Sequence, residues 1–132
     1  MKTIFFFLAL ICAIAFLWGS LDKAFYDDKA ISAIVGEASN QSYDTMICVA
    51  QGIRHRGTLK GVYGVNARHN SSESEDTWSA AQEAWDESPY TSDKINGAKN
   101  WGTKDDLIKL GICNDMDICR QSIIKCGDLY FY

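Results

Sequence analysis

No internal repeat and no low-complexity tract runs through the chain, so there is no sign of a repeat architecture. Excess positive charge is also missing. Lys2 is the only charge in residues 1–21, and the remainder carries 12 Lys+Arg against 17 Asp+Glu, a net charge of −5. Such a surface repels phosphate backbones, which argues against a nucleic-acid partner, whereas a neutral sugar polymer is not repelled. There is no paired CxxC, and the two histidines, His55 and His69, lie far from Cys113, Cys119 and Cys126 in sequence, which weighs against a zinc site. Neither histidine accompanies a serine or cysteine nucleophile in a recognisable motif. His55 reads as a helix-end cation and His69 as a loop residue. The acidic run Asn114-Asp115-Met116-Asp117 lacks the glycine and the final glutamate of an EF-hand loop and reads as solvated loop. Nothing in the sequence calls for a metal or a cofactor.

What is present begins with a long apolar run. Residues 4–18 (IFFFLALICAIAFLW) carry no charge, follow Lys2 and precede Asp22. A short positive region before an apolar core is the pattern of a secretory signal. The run is slightly short of the roughly 20 residues that a membrane helix needs. Ala13-Ile14-Ala15 fits a cleavage site, but cutting there leaves Phe16, Leu17 and Trp18 at a greasy terminus, and Trp18 suits a membrane interface. Residues 1–21 are thus a cleaved signal or a retained anchor, and both readings stand. The remaining residues, 22–132, number 111 and make one domain, just large enough for its own core.

Four of the five cysteines fall in that domain: Cys48, Cys113, Cys119 and Cys126. An even count after an export segment suggests disulfides. Of the possible pairings, Cys113 with Cys119 is a plausible short loop, which leaves Cys48 to meet Cys126. A buried thiol at Cys48, inside an apolar helical stretch, is the competing reading.

Local patterns predict a mainly helical α+β domain. Asp27 or Asp28 can cap a first helix with Ala30, Ile31, Ile34, Val35 and Ala38 at helical spacing. Ser42 can cap a second, which ends at Gly57 after Arg54-His55-Arg56. Residues 57–69 read as an extended loop. Ser72 with Glu75 resembles a capping box for a third helix that buries Trp78, Ala81 and Trp85 and stops at Pro89. Residues 92–102 are loop or short strand. Thr103 with Asp106 is a second capping-box pattern for a short helix closed by Gly111. Two β-prone runs joined by Gly127-Asp128 predict a terminal hairpin.

Glu37 stands out as a carboxyl on an otherwise apolar helix, directly after Gly36. Glycine costs a helix interior about 1 kcal/mol relative to alanine, which makes sense if something, such as a ligand, approaches the backbone closely. A carboxyl flanked by Ile34, Val35 and Ala38 is expected to be partly desolvated, which disfavours its charged form. An acid that keeps its proton can donate it to a glycosidic oxygen.

Residues 30–56 (AISAIVGEASNQSYDTMICVAQGIRHR) resemble the opening of the cell wall hydrolase family of the spore cortex-lytic (SleB-like) type. Gly36-Glu37-Ala38 ends one helix and Val49-Ala50-Gln51 lies on the next, as in that family. Ala80 to Trp85, Asn96-Gly97-Ala98 with Trp101, and the closing strand from Ile124 to Tyr132 resemble its later elements, so the likeness spans residues 28–132 in patches. It departs from the family in its extra cysteines, in the insertion Cys113–Cys119, and between Gly64 and Trp78, where the usual proline and phenylalanine are missing.

The resemblance implies a lysozyme-like domain acting on peptidoglycan as a lytic transglycosylase or muramidase, with Glu37 as the catalytic acid. A transglycosylase works with one carboxyl: Glu37 protonates the leaving oxygen and then helps the muramic C6 hydroxyl attack C1. A hydrolase normally needs a second carboxylate. Glu73, Glu75 and Asp76 are the candidates, but they read as helix-capping charges, which favours the one-carboxyl route. Tyr63, Tyr90 and Trp101 fall in loops where a ring can stack on a pyranose, while Trp78 and Trp85 share one helical face and read as core. Gln51 and Asn100 can hydrogen-bond acetamido groups. The expected protein is an exported monomer, periplasmic or extracellular or held to a membrane through residues 4–18, and either a phage endolysin or a wall-remodelling enzyme. The competing readings are a non-catalytic, disulfide-stabilised wall- or sugar-binding module, and an anchored structural or inhibitor protein in which Glu37 is incidental. The environment of Glu37 separates them.

Overall fold

The computed structural model describes residues 2–132, with side chains from Phe7 onward; the side chains of residues 2–6, the start of the apolar run among them, lie outside the described residues. Where the sequence suggested an apolar segment and then a separately capped helix, the chain forms one helix, α1, from Lys2 to Ala38. No proline interrupts residues 19–29 and most of them are tolerated in helices, so the helix propagates through them. Asp27 does not cap. Its Oδ1 accepts a hydrogen bond from Trp85 Nε1 at 3.0 Å, which ties α1 to a later helix.

The two halves of α1 have different surroundings. Ala30, Ala33, Ile34, Val35 and Ala38 are fully buried. Phe16, Leu17, Trp18 and Leu21 are exposed, and the most apolar stretch has no buried residue. That rules out a core helix for this segment. By length and composition it can cross a membrane, which fits an anchor and an export signal alike.

Helix α2 (Tyr43–Arg56) starts where Ser42 Oγ accepts from the Thr45 N–H and ends at Gly57, whose left-handed backbone (φ 68°) donates to the Ile53 carbonyl. Residues Thr45–Ile53 of α2 are all buried, so α2 is the centre of the core. The stretch expected to be extended loop instead holds two 3₁₀ turns, Tyr63–Asn66 and Arg68–Ser72. The second of these absorbs Ser72, whose hydroxyl donates to the His69 carbonyl at 2.8 Å. The cap of α3 (Glu75–Glu87) is therefore Ser74, which accepts from the Thr77 N–H, and the expected Ser72–Glu75 box does not form. Trp85 is buried in the core, and Trp78 is half-buried against it.

Strand β1 (Trp101–Gly102) precedes α4 (Lys104–Lys109), whose Thr103–Asp106 capping box is complete. A small hairpin, β2 (Cys113–Asp115) and β3 (Ile118–Cys119), follows. The chain ends in β4 (Ile124–Cys126) and β5 (Leu129–Phe131), turned at Gly127-Asp128. The order β1-β5-β4 makes an antiparallel three-stranded sheet. The fold is mainly helical α+β with a small C-terminal sheet. Two disulfides brace it, Cys48–Cys126 and Cys113–Cys119, so Cys48 is not a free buried thiol. Cys12 is free and exposed.

Gly36 packs against backbone, not against a ligand. A Cβ there would collide with the Gly64 carbonyl, and a Cβ on Gly64 would lie 2.5 Å from the Ala33 carbonyl oxygen and 2.7 Å from Glu37 Cγ. Two glycines from segments 28 residues apart thus let α1 and the first 3₁₀ turn touch. Gly36→Ala is expected to cost about 1–3 kcal/mol through overpacking of backbone that cannot yield. A urea titration checks this as a lower midpoint at unchanged slope.

Candidate active site

Glu37 occupies the last turn of α1, one residue before its end. Ile34, Val35 and Ala38 are fully buried in the core, while Glu37 is half-buried at its border. Its Oε1 accepts a hydrogen bond from the Gly64 N–H at 2.8 Å. The other side of that peptide is held as well. Asn70 Nδ2 donates to the Gly64 carbonyl at 2.8 Å and also lies 3.2 Å from Ser32 O. Ser32 Oγ donates to Val65 O at 2.9 Å. The glycine contact and these bonds fix the position of the carboxyl, because each partner is itself pinned. Asn70 is buried, although in sequence it is one polar residue within the polar stretch 69–76.

Glu37 lines a cavity of about 470 Å³. Gly61, Val62 and Tyr63 border it alongside Glu37; Asn100 to Thr103, Asp106, Lys109 and Leu110 supply the β1–α4 side; Arg56, Leu129 and Tyr132 complete the lining. The cavity thus brings Glu37, Tyr63, Trp101 and Asn100 together. Tyr63 is 89 % exposed, an open ring beside the acid. Trp101 is half-buried and stacks obliquely on Phe131, with ring centroids 6.0 Å apart. Gly52 gives it room, since a Cβ there would lie 2.9 Å from the indole. Asn100 Oδ1 accepts from Arg56 Nη1 at 3.2 Å, and its backbone pairs with Tyr132.

Two of the expected sugar ligands are elsewhere. Gln51 is buried, and its amide is used within the fold: Nε2 donates to the carbonyls of Thr91 and Ser92 (3.3 and 3.0 Å) and Oε1 accepts from the Lys94 N–H at 2.9 Å. It holds the loop after α3 and does not reach the cavity. Gln51→Ala is expected to lower stability by about 2–3 kcal/mol, because it leaves three backbone groups without their partner; a thermal melt checks it. Tyr90 is exposed, but it follows α3 and is not part of the cavity lining. His55 also does more than terminate a helix. Its Nδ1 lies 3.0 Å from the Ala98 carbonyl and its Nε2 lies 3.7 Å from Asp93, so it fastens the loop before β1.

None of the expected second carboxylates lines the Glu37 cavity. Glu73 borders a separate hollow with Ser39, Asn40 and His69, and Glu75 and Asp76 are exposed in the first turn of α3. Asp106 does line it. Its Oδ2 accepts from the Thr103 N–H at 2.9 Å and from the Thr103 hydroxyl at 2.8 Å. The backbone donor first, then the hydroxyl and the Lys109 charge, hold this carboxyl below the usual carboxylate range. Burial pushes the Tyr132 phenol up, and the Asp106 charge adds to that, against Arg56. From sequence Asp106 reads only as a cap and Arg56 only as a helix-end charge, and nothing in the pattern singles out Lys109. A second cavity, of about 350 Å³, is lined by Ile95 to Asn100, Ser122 and the β4–β5 residues, but no carboxyl side chain faces it. Among the described residues no group of three or more His, Cys, Asp or Glu is arranged to hold a metal ion.

No protein-family model, curated protein or solved structure matches this chain.

Proposed function

We propose that the chain is a peptidoglycan-cleaving glycosidase, a lytic transglycosylase or muramidase, with Glu37 as its general acid. The observation that carries this reading is the placement of Glu37. A carboxyl fixed by the Gly64 N–H borders a cavity that also carries the exposed ring of Tyr63 and the indole of Trp101. Aromatic faces beside a fixed acid suit a pyranose ring, which stacks through its apolar C–H face while its linkage oxygen meets the acid. Asn100 supplies a side-chain amide for acetamido groups. The cationic groups of Arg56 and Lys109 on the same lining suit a glycan that bears carboxylates, as a muramyl polymer does. The SleB-like motif order points to the same substrate.

In this mechanism Glu37 donates its proton to the glycosidic oxygen as the C1–O bond breaks. The leaving sugar departs as an alcohol. The domain faces an oxidising compartment, in keeping with its two disulfides. The apolar half of α1 carries it there, as an export signal or as an anchor that keeps it beside the wall.

The test is digestion of purified peptidoglycan by the full chain in mild detergent, with mass spectrometry of the released fragments. New muropeptides cut at the muramic acid C1 support the reading. Binding to peptidoglycan without any new fragment would instead make the protein a wall-binding module.

A further inference from the structure

We propose that Asp106 is the second carboxylate of this reaction and that the chain is therefore a hydrolase, with Asp106 as the base that activates the attacking water. The inference rests on the glycosidase reading of the Glu37 cavity and decides its outcome at C1.

Asp106 and Glu37 line one cavity but belong to different elements, α4 and the end of α1. The Asp106 carboxylate is held in place without being used up. Both bonds from Thr103 go to Oδ2, so Oδ1 takes no part in the cap. The residue is exposed and lines the cavity. Its Thr103 donors and the Lys109 charge favour the ionised form, which is the form a base requires. Glu37 has one backbone donor and sits half-buried. The two carboxyls border the same cavity, so a linkage held there can meet one as acid and the other as base.

The step balances with one water. Glu37 gives its proton to the glycosidic oxygen as the C1–O bond breaks. A water oxygen bonds to C1 from the opposite face, and Asp106 takes the water's proton. Glu37 is left ionised and Asp106 protonated, and exchange with solvent restores both. The products are a reducing sugar, inverted at C1, and an alcohol. A one-carboxyl transglycosylase would instead close the muramic C6 oxygen onto C1 and consume no water.

The experiment uses the full chain on purified peptidoglycan, with three readouts. Wild type is expected to give reducing muramic acid ends, with the inverted anomer seen first by NMR. Asp106→Asn keeps an oxygen that accepts from Thr103, so it is expected to fold, yet to lose about 10²–10³-fold in rate. Asp105→Asn makes the same charge change in the same turn, off the cavity lining, and is expected to match wild type. Azide, a nucleophile that needs no base, is expected to accelerate Asp106→Ala and to yield a glycosyl azide, which a purely structural defect would not allow. Anhydro-muramyl ends from wild type, or wild-type rates from Asp106→Asn, would overturn the Asp106 assignment and leave Glu37 standing. No cleavage at all by wild type would remove the glycosidase reading and this inference with it.

Discussion

Glu37→Gln is expected to reduce peptidoglycan cleavage by about 10³-fold or more while leaving the fold in place. The substitution is nearly isosteric. The glutamine amide oxygen can still accept from the Gly64 N–H, the one bond that positions the native side chain at 2.8 Å. Only the transferable proton is removed. Loss of a general acid costs most when the leaving group is a poor one, and a sugar alkoxide is poor. Initial rates on labelled sacculi, taken with a thermal melt of each protein, check both halves of the expectation. A melt within about a degree of wild type and a rate near background place the effect in the chemistry. A Glu37→Gln protein that clears walls as fast as its parent would show that the carboxyl has no chemical role. The same assay on Tyr63→Ala is diagnostic in a different way. An 89 % exposed ring contributes little to folding, so any loss there reports on substrate contact.

Much of the fold was legible locally, and the misses have a common cause. Ser42, Gly57 and the Thr103–Asp106 box were readable because a cap depends on residues three or four apart. The terminal hairpin was readable because Gly127-Asp128 specifies its own turn. The reason for Gly36 was not, since its partner is Gly64, 28 residues on, and helical spacing says nothing about such a contact. Ser72 has the residue type and spacing of a cap, but a 3₁₀ turn takes it up first. The hydrophobic halves of α1 were legible, but not their continuity, because Asp27 is as good a cap by type as it is a partner for Trp85. In the site, Glu37, Tyr63, Trp101 and Asn100 line one cavity. Gln51 does not, although a clue was present: it lies four residues after Ile47, on a helix stretch whose every position is buried. A polar residue there has to satisfy the backbone around it. Asp106 escaped notice because one explanation, the cap, already accounted for it, and a cap that uses only Oδ2 leaves the other oxygen available.

Removing the Cys48–Cys126 bridge is expected to be the most destabilising change outside the cavity. The bridge joins the middle of α2 to β4 across 78 residues, and a cross-link of that span restricts the unfolded chain by an amount worth about 4 kcal/mol. Domain stabilities of this size class run to about 5–15 kcal/mol, so the loss is a large share of the total. For about 100 residues it corresponds to a fall in Tm of roughly 15–25 °C. The Cys113–Cys119 bridge closes only six residues and pins an exposed hairpin, so its loss is expected to cost about half as much. Calorimetry of Cys48→Ala/Cys126→Ala and of Cys113→Ala/Cys119→Ala, each double variant leaving no unpaired thiol behind, checks the ranking. Equal shifts would mean that the long bridge does not act through chain entropy. The functional consequence follows from where β4 leads. It pairs with β5, and Leu129 on β5 and Tyr132 just beyond it line the Glu37 cavity. A reductant that opens Cys48–Cys126 therefore loosens the lining of the site before the rest of the domain unfolds. Activity is expected to fall at reductant concentrations where circular dichroism still reports intact helices.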